Sequence, residues 1–391
     1  MTKNSTDQQT QAAQQLFSLL KKSVRTLNPY HVEPAMPRIK LDANENNWLA
    51  GRFQPILQER LESLPIHQYP DSDCLALREK LAALHGVDRE QVITGVGSDQ
   101  IISWVIQAFV EAGDQVLVMD PTFSMYEIDT LMAGGEPVRV PLGEGFVFQP
   151  EPFLEKARET MPKVVFLTNP NNPTGGVIAP EVLRPLLASL AQLRCVIAID
   201  EAYYEFYGET VADLIDTYPQ LIILRTLSKA YGLAGVRAGY ALASEAMMDA
   251  LGRVKPPYHM SGLDQLAALI CLEHADALQP VLQKVIGWRE TMEKEMKALA
   301  LQEGEDRLRV FPSRANFLLI RTPLAAKLDQ RLRESGIMVR GYGESGALAN
   351  CLRITVGTET ENKELLAVLQ EVFQPPAGRS TEKPAEKEGK G

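Results

Sequence analysis

Four short segments of the 391-residue chain carry the side chains best suited to chemistry. They are Gly95-Val-Gly-Ser-Asp, Asn169-Pro-Asn-Asn-Pro-Thr-Gly, Asp200-Glu-Ala-Tyr and Thr226-Leu-Ser-Lys, the last followed by Arg237. Lys229 lies between small polar residues, after an apolar run and eight residues before Arg237. A lysine held near a cation and away from water has a lowered pKa, which a Schiff-base amine needs. Asp200 closes the run CVIAI. A carboxylate there either caps a turn or holds the proton of a pyridinium ring, keeping that ring an electron sink. The 169–175 loop also reads as plain turn chemistry. The Gly95 turn, with Asp120 after the next strand, suggests a dinucleotide fingerprint, but Gln100 stands at the third glycine position. A glycine turn opening a helix serves a single phosphate through its free N–H groups.

These segments need strands to carry them. The spacing of apolar runs predicts strands at 91–94, 115–119, 163–167, 195–199, 221–224 and 236–242, with helices at 99–111 and 123–132. Continuous Val/Ile/Leu strands alternating with helices indicate an α/β fold with a buried, mostly parallel sheet. Ligands of such sheets sit beyond the carboxyl ends of the strands, where the four segments fall. A long helix at 278–299 and a strand–helix–strand–helix pattern at 316–320, 324–335, 352–356 and 361–373 read as a smaller α+β domain. We expect a large domain at 44–280, a small domain from 1–43 and 281–374, and a disordered tail at 375–391. Residues 8–27 suit an amphipathic helix with Leu16, Leu19, Leu20 and Val24 on one stripe.

Composition narrows the partners. A net charge of -10 argues against nucleic acid and anionic membrane surfaces, while leaving room for a local cationic pocket. Cys74, Cys195, Cys271 and Cys351 share no CxxC spacing, and the five histidines form no HxxxH or HxH pair. No metal site is expected, and the thiols read as buried groups of a reducing cytosol. The polar N-terminus lacks an apolar signal core, and no apolar run approaches the ~18 residues of a membrane helix. The expected location is cytoplasmic.

Taken together, in this order and spacing, the segments resemble the class I/II aminotransferase family, which has the aspartate-aminotransferase fold. The matching pieces span about Leu41 to Val368: LDANEN, YPDSD, DPTFSMY, TNPNNPTG, DEAYYEF, TLSKAYGLAGVRAGY, KPPY, RANFL and LRITVGT. Within the family the likeness is nearest to members acting on histidinol phosphate. The resemblance implies a seven-stranded, mostly parallel sheet and pyridoxal 5'-phosphate as cofactor, attached to Lys229, which also carries protons. Asp200 is implied to pair with the ring nitrogen, and Asn172 and Tyr203 to bond the ring's phenolic oxygen. Phe123 stacks on the ring, and Ser98, Asp99, Thr226, Ser228 and Arg237 cradle its phosphate. Tyr69 matches the tyrosine sent across a homodimer interface to the partner's cofactor phosphate. Arg353 matches the substrate-carboxylate arginine, with Arg340, Tyr30 and Asn44 as further substrate residues.

The implied reaction moves the amino group of histidinol phosphate to 2-oxoglutarate, giving imidazole-acetol phosphate and glutamate, a step of histidine biosynthesis. Aromatic aminotransferases and threonine-phosphate decarboxylases share most of these motifs. A non-catalytic regulatory module of this fold is a third reading, for which the stretch before Leu41 is too short to supply a DNA-binding domain. Three places depart from the family pattern near the expected substrate entrance. Asn47-Trp48 stands where proline usually follows NEN, 32–40 lacks the usual glycines, and His259-Met260-Ser261 follows KPPY.

Overall fold

The computed structural model describes residues 15–25, 27, 36–304 and 306–373. Seven strands form the central sheet: β1 (Val92–Val96), β2 (Gln115–Asp120), β3 (Glu136–Pro141), β4 (Val164–Thr168), β5 (Val196–Asp200), β6 (Leu221–Thr226) and β7 (Ala238–Ala243). Their order is β1-β7-β6-β5-β4-β2-β3. β7 runs antiparallel to both neighbours, and every other pairing is parallel. β4, β5 and β6 are buried at every residue, so a polar/apolar alternation would bury unpaired groups on one face. The pleat instead divides the apolar residues between two layers. Ile197 and Ile199 of β5 join the core that also holds Leu117 and Leu187. Val196 and Ala198 face the opposite core under the helix α1 (Gly97–Phe109), with Ile101, Val105 and Ile106.

The helices α2 (Met125–Ala133) and α3 (Gly262–Glu273) also flank this sheet, and α4 (Leu278–Glu303) leads to a smaller one. There β8 (Arg309–Phe311), β9 (Phe317–Arg321), β10 (Arg340–Gly341) and β11 (Cys351–Thr355) pair antiparallel in the order β10-β11-β9-β8. The closing helix is α5 (Glu359–Phe373). A short parallel pair, Ile39–Lys40 with Ile337–Met338, fastens the chain ahead of the LDANEN segment to this layer.

The expected strands and helices stand where the apolar runs place them, with shifted ends. α1 begins at Gly97, so Ser98 and Asp99 occupy its first turn. β6 continues through Arg225 and Thr226, because Arg225 is neutralised inside the protein. Its guanidinium is 1% exposed, pairs with Glu201 at 2.6 Å and lies 3.5 Å over the Tyr204 ring. Removing one member of such a buried pair leaves a stranded charge, costing about 3–5 kcal/mol.

The single amphipathic helix expected at 8–27 is not what forms among the described residues. Helical turns at 15–19 and Lys22–Arg25 are separated at Leu20 and Lys21. Leu16 and Leu19 are exposed, so no core among the described residues holds one continuous stripe together. Ser23 Oγ donates to Met132 O of α2. The expected tail at 375–391 lies outside the described residues.

The family departures have local physical reasons. Asn47 Nδ2 donates to Glu361 of α5 at 2.9 Å, and Trp48 Nε1 to Gly357 O at 2.9 Å. Asn46 Nδ2 donates to Ala230 O at 2.8 Å, so NENNW ties the Lys229 turn to the small layer. A proline at position 47 lacks the side-chain donor that reaches Glu361. His259 bonds Thr94 O at 2.9 Å and meets Trp104 edge-on, Met260 is buried core, and Ser261 caps α3. Of the 32–40 departure, residues 32–35 lie outside the described residues.

Candidate active site

At the carboxyl edge of the large sheet, strand ends deliver polar side chains to one place. Asp200 ends β5, Thr226 ends β6, and Ser228 and Lys229 follow in the next turn. Arg237 precedes β7 in a left-handed conformation (φ 57°). Ser98 and Asp99 come from the first turn of α1, Phe123 from the β2–α2 turn, Asn172 from the loop after β4, and Tyr203 from the turn after β5. These ten residues line one cavity of about 490 Å³.

Two glycines make this convergence sterically allowed. A Cβ on Gly239 would stand 2.2 Å from Ser98 N, so β7 supports the first turn of α1 backbone to backbone. Gly97 has φ 76°, and a Cβ there would meet Arg237 Nη2 at 2.6 Å. The result is an anion cradle. It combines the N-terminal N–H groups of α1 with the hydroxyls of Ser98, Thr226 and Ser228 and the guanidinium of Arg237. Arg237 is held by Asp99 Oδ2 at 3.0 Å and donates to Ser228 Oγ at 3.4 Å.

The groups in the middle of the cavity are buried and perturbed. Asp200 accepts from Tyr126 OH at 2.6 Å and from Ala202 N at 2.9 Å, and forms no ion pair among the described residues. Burial pushes its carboxyl up to about 6. Lys229 Nζ donates to Ala43 O at 2.9 Å. Burial, and then the charge of Arg353, draws its amine down to about 8. Burial raises Tyr203 to about 12, against the pull of Arg353 and of the Asn44 amide that donates to its oxygen at 2.8 Å. Asn44 is buried at φ 55° and fixed by a 3.0 Å bond from its N–H to Thr355 Oγ1.

Arg353 of β11 reaches this cavity from the small sheet. Its Nη1 donates to Asn172 Oδ1 at 2.6 Å and its Nη2 to Asp42 O at 2.6 Å, while its buried Nε has no partner. No carboxylate pairs with it among the described residues. Arg340 is its register partner on β10, so the two side chains share a face of the sheet.

Two expected residues are not part of this cluster. Tyr69 is 80% exposed and stacks on Tyr258 at 4.5 Å, outside the cavity of its own chain. Tyr30 lies outside the described residues. The sequence reading also missed a polar chain under the site. Tyr126, which bonds Asp200, is bonded to Thr168 Oγ1 at 2.9 Å; Thr168 meets Thr122 at 3.0 Å, and Thr122 donates to Asn171 at 2.8 Å. The available signal was the position of Tyr126 three residues after Phe123, in the first turn of the helix that follows it.

The family model for class I and II aminotransferases matches residues 37–369. The chain belongs to this family of pyridoxal-phosphate-dependent transaminases. Among its relatives is the histidinol-phosphate aminotransferase of Ruminiclostridium cellulolyticum, 38% identical over 89% of this chain and 96% of the relative. That of Thermococcus gammatolerans is 36% identical over 90% and 97%. The solved histidinol-phosphate aminotransferase of Sinorhizobium meliloti, in complex with pyridoxal-5'-phosphate, superposes with a TM-score of 0.81 at 25% identity. It covers 91% of this chain and 98% of that one.

Proposed function

We propose that this chain transfers the amino group of histidinol phosphate to 2-oxoglutarate, with pyridoxal phosphate held in the cavity at Lys229. The observation that carries the reading is a buried lysine of lowered pKa between two anion-binding ends. The first is the α1 cradle with Arg237, and the second is the Arg353–Arg340 pair. The site fits the cofactor's chemistry. Ser98, Asp99, Thr226, Ser228 and Arg237 would hold its phosphate, Phe123 its ring face, and Asn172 and Tyr203 its phenolic oxygen. Asp200, buried without a cation, would gain one in a protonated ring nitrogen. When bound, the group supplies an aldehyde that captures amines covalently and a ring that accepts an electron pair.

The rest of the work belongs to the chain. Lys229 Nζ, neutral above about pH 8, takes the proton from the amine-bearing carbon of the substrate and returns one to product. Asn44 orients the Tyr203 hydroxyl. Arg353 presents its planar fork to glutamate's carboxylate. A phosphate dianion gains from a second fork, which Arg340 provides. Tyr69, exposed on its own chain, would complete the phosphate cradle of a second copy in a homodimer with shared sites. Among the described residues no helix is long and apolar enough to cross a membrane, and a cytoplasmic location accords with such an enzyme.

A panel of amino donors with 2-oxoglutarate tests the reading, with histidinol phosphate, phenylalanine and threonine phosphate in parallel. The highest kcat/KM is expected for histidinol phosphate. No turnover of it, with good turnover of phenylalanine, would replace this reading with an aromatic aminotransferase.

A further inference from the structure

The small sheet carries more positive charge than the substrate contacts require. In its register, Phe311, Leu319, Arg353 and Arg340 form one row across β8, β9, β11 and β10. The next row on the same face holds Arg309, Arg321 and Cys351. The alternate residues Val310, Ile320 and Leu352 pack into the main core, so the four arginines project from the other face. Two residues along a strand is ~7 Å, which places the second arginine row one step outward from the first.

Arg321 is built to stay extended there. Its guanidinium lies 5.2 Å over the Phe146 ring and 5.7 Å over Phe311. Its Nη2 donates to Ala347 O at 2.6 Å, and its Nε points to Cys351 Sγ at 3.4 Å. No carboxylate pairs with it among the described residues. Arg309, opposite it, lies 5.4 Å over the Phe311 ring and, among the described residues, pairs with Glu144 at 3.6 Å, and Glu144 is 91% exposed. A contact of that kind in water neutralises little. Arg309, Phe311 and Phe146 wall a second cavity of about 530 Å³, which shares Thr168 with the first.

We propose that Arg321 and Arg309 form an outer anion-capture subsite, which draws substrates bearing a phosphate or two carboxylates toward Arg353 and Arg340 and sets the enzyme's preference for them. This rests on the proposed reaction, in which histidinol phosphate brings a phosphate dianion and 2-oxoglutarate two carboxylates. The physical need is plain: a chain of net charge -10 repels such substrates at long range. A local cationic row over a low-dielectric cleft reverses that field where they enter. Arg321 and Arg309 act on capture, not on the proton transfers at Lys229.

The test follows kcat/KM for each half-reaction of the holoenzyme, at an ionic strength of roughly 10 mM and again at roughly 0.5 M. The Debye length falls from ~30 Å to a few ångströms over this range. Arg321→Gln and Arg309→Gln are expected to lower low-salt kcat/KM for 2-oxoglutarate and histidinol phosphate by roughly threefold to tenfold. The loss should vanish at high salt, with kcat unchanged. Arg321→Lys, which keeps the charge, should stay within about twofold of wild type. Histidinol, which lacks the phosphate, should show no low-salt loss. Equal losses at both ionic strengths, a fall in kcat, or no loss at low salt overturns the proposal. If Arg321→Gln does not fold, the half-exposed Arg309→Gln carries the same test. Should the wild type ignore histidinol phosphate, only the donor assignment fails. The 2-oxoglutarate half-reaction then still decides the subsite, in favour if the low-salt loss is present and against it if absent.

Discussion

Asp200→Asn should make the cofactor-free protein more stable while disabling the enzyme. In the folded chain the Asp200 carboxyl is raised from 3.8 to about 6 by burial. A rise of that size, at 1.36 kcal/mol per pKa unit, costs about 3 kcal/mol once the group ionises. The sign follows from a raised folded pKa. The folded state holds its proton more tightly than the unfolded one, so no stability is lost below pH 3.8. The loss accumulates between pH 3.8 and about 6 and is complete above it. Asparagine is isosteric and neutral. It keeps an oxygen for Ala202 N and offers its amide to the Tyr126 hydroxyl, so the bonds seen at Asp200 have replacements. Urea unfolding of the apoproteins at pH 8 should show the variant ahead by up to about 3 kcal/mol, shrinking toward zero at pH 4. The same variant with cofactor should turn over about 10²-fold slower or worse, because an amide cannot hold a ring nitrogen protonated. Equal or lower apoprotein stability at pH 8 would show that the carboxylate bears no burial cost. A wild-type single-turnover rate would remove Asp200 from the chemistry.

Borohydride reduction of the yellow holoenzyme should fix the cofactor on the Lys229 peptide; a label on another lysine, or none, refutes the assignment. Covalent uptake of pyridoxal phosphate by the apoprotein should speed up as pH rises to about 8 and then level off, since only the neutral amine reacts. Lys229→Ala should bind cofactor yet lose most turnover. Mixing Tyr69→Phe chains with Lys229→Ala chains should raise activity above either parent, because one site of each hybrid dimer carries neither defect; no rise after subunit exchange confines the site to one chain. Arg340→Leu should impair histidinol phosphate more than glutamate, whereas Arg353→Leu should damage both, as separate kcat/KM values will show. Equal losses for the two donors in Arg340→Leu would take Arg340 out of the phosphate site.

Much of this site was legible in the sequence because strand ends are legible. An apolar run that stops at a polar residue marks both the strand and the point where its carboxyl edge opens, as CVIAID and LIILRT do. What the pattern could not reveal was distance-dependent. Tyr126 follows Phe123 by three residues, but its bond to Asp200 depends on where α2 sits relative to the end of β5, 74 residues away. Arg225 looks like a break in a hydrophobic strand until Glu201 and Tyr204 are seen to enclose it. Asn47, Trp48 and His259 first stand out as departures at a substrate entrance. Their bonds to Glu361, Gly357 and Thr94 are instead structural ties. The outer arginines were invisible singly, since only the strand register puts Arg309, Arg321, Arg340 and Arg353 on one face. The N-terminal stripe illustrates the reverse error. Periodicity predicted one amphipathic helix, but without a core to receive Leu16 and Leu19 it divides.

The antiparallel insertion of β7 has a consequence for how the enzyme is made. Val92 of β1 pairs with Leu242 of β7, 150 residues later. At ~5–20 residues per second, a ribosome needs about 8–30 s to bridge that gap. Throughout that interval β1 has no neighbour, and once β6 is made it too presents an open edge until β7 follows, a template for pairing with other chains. The first turn of α1 cannot settle against Gly239 until β7 arrives. A nascent chain therefore exposes Lys229 before its phosphate cradle closes, and cofactor capture must follow, not precede, completion of the large sheet.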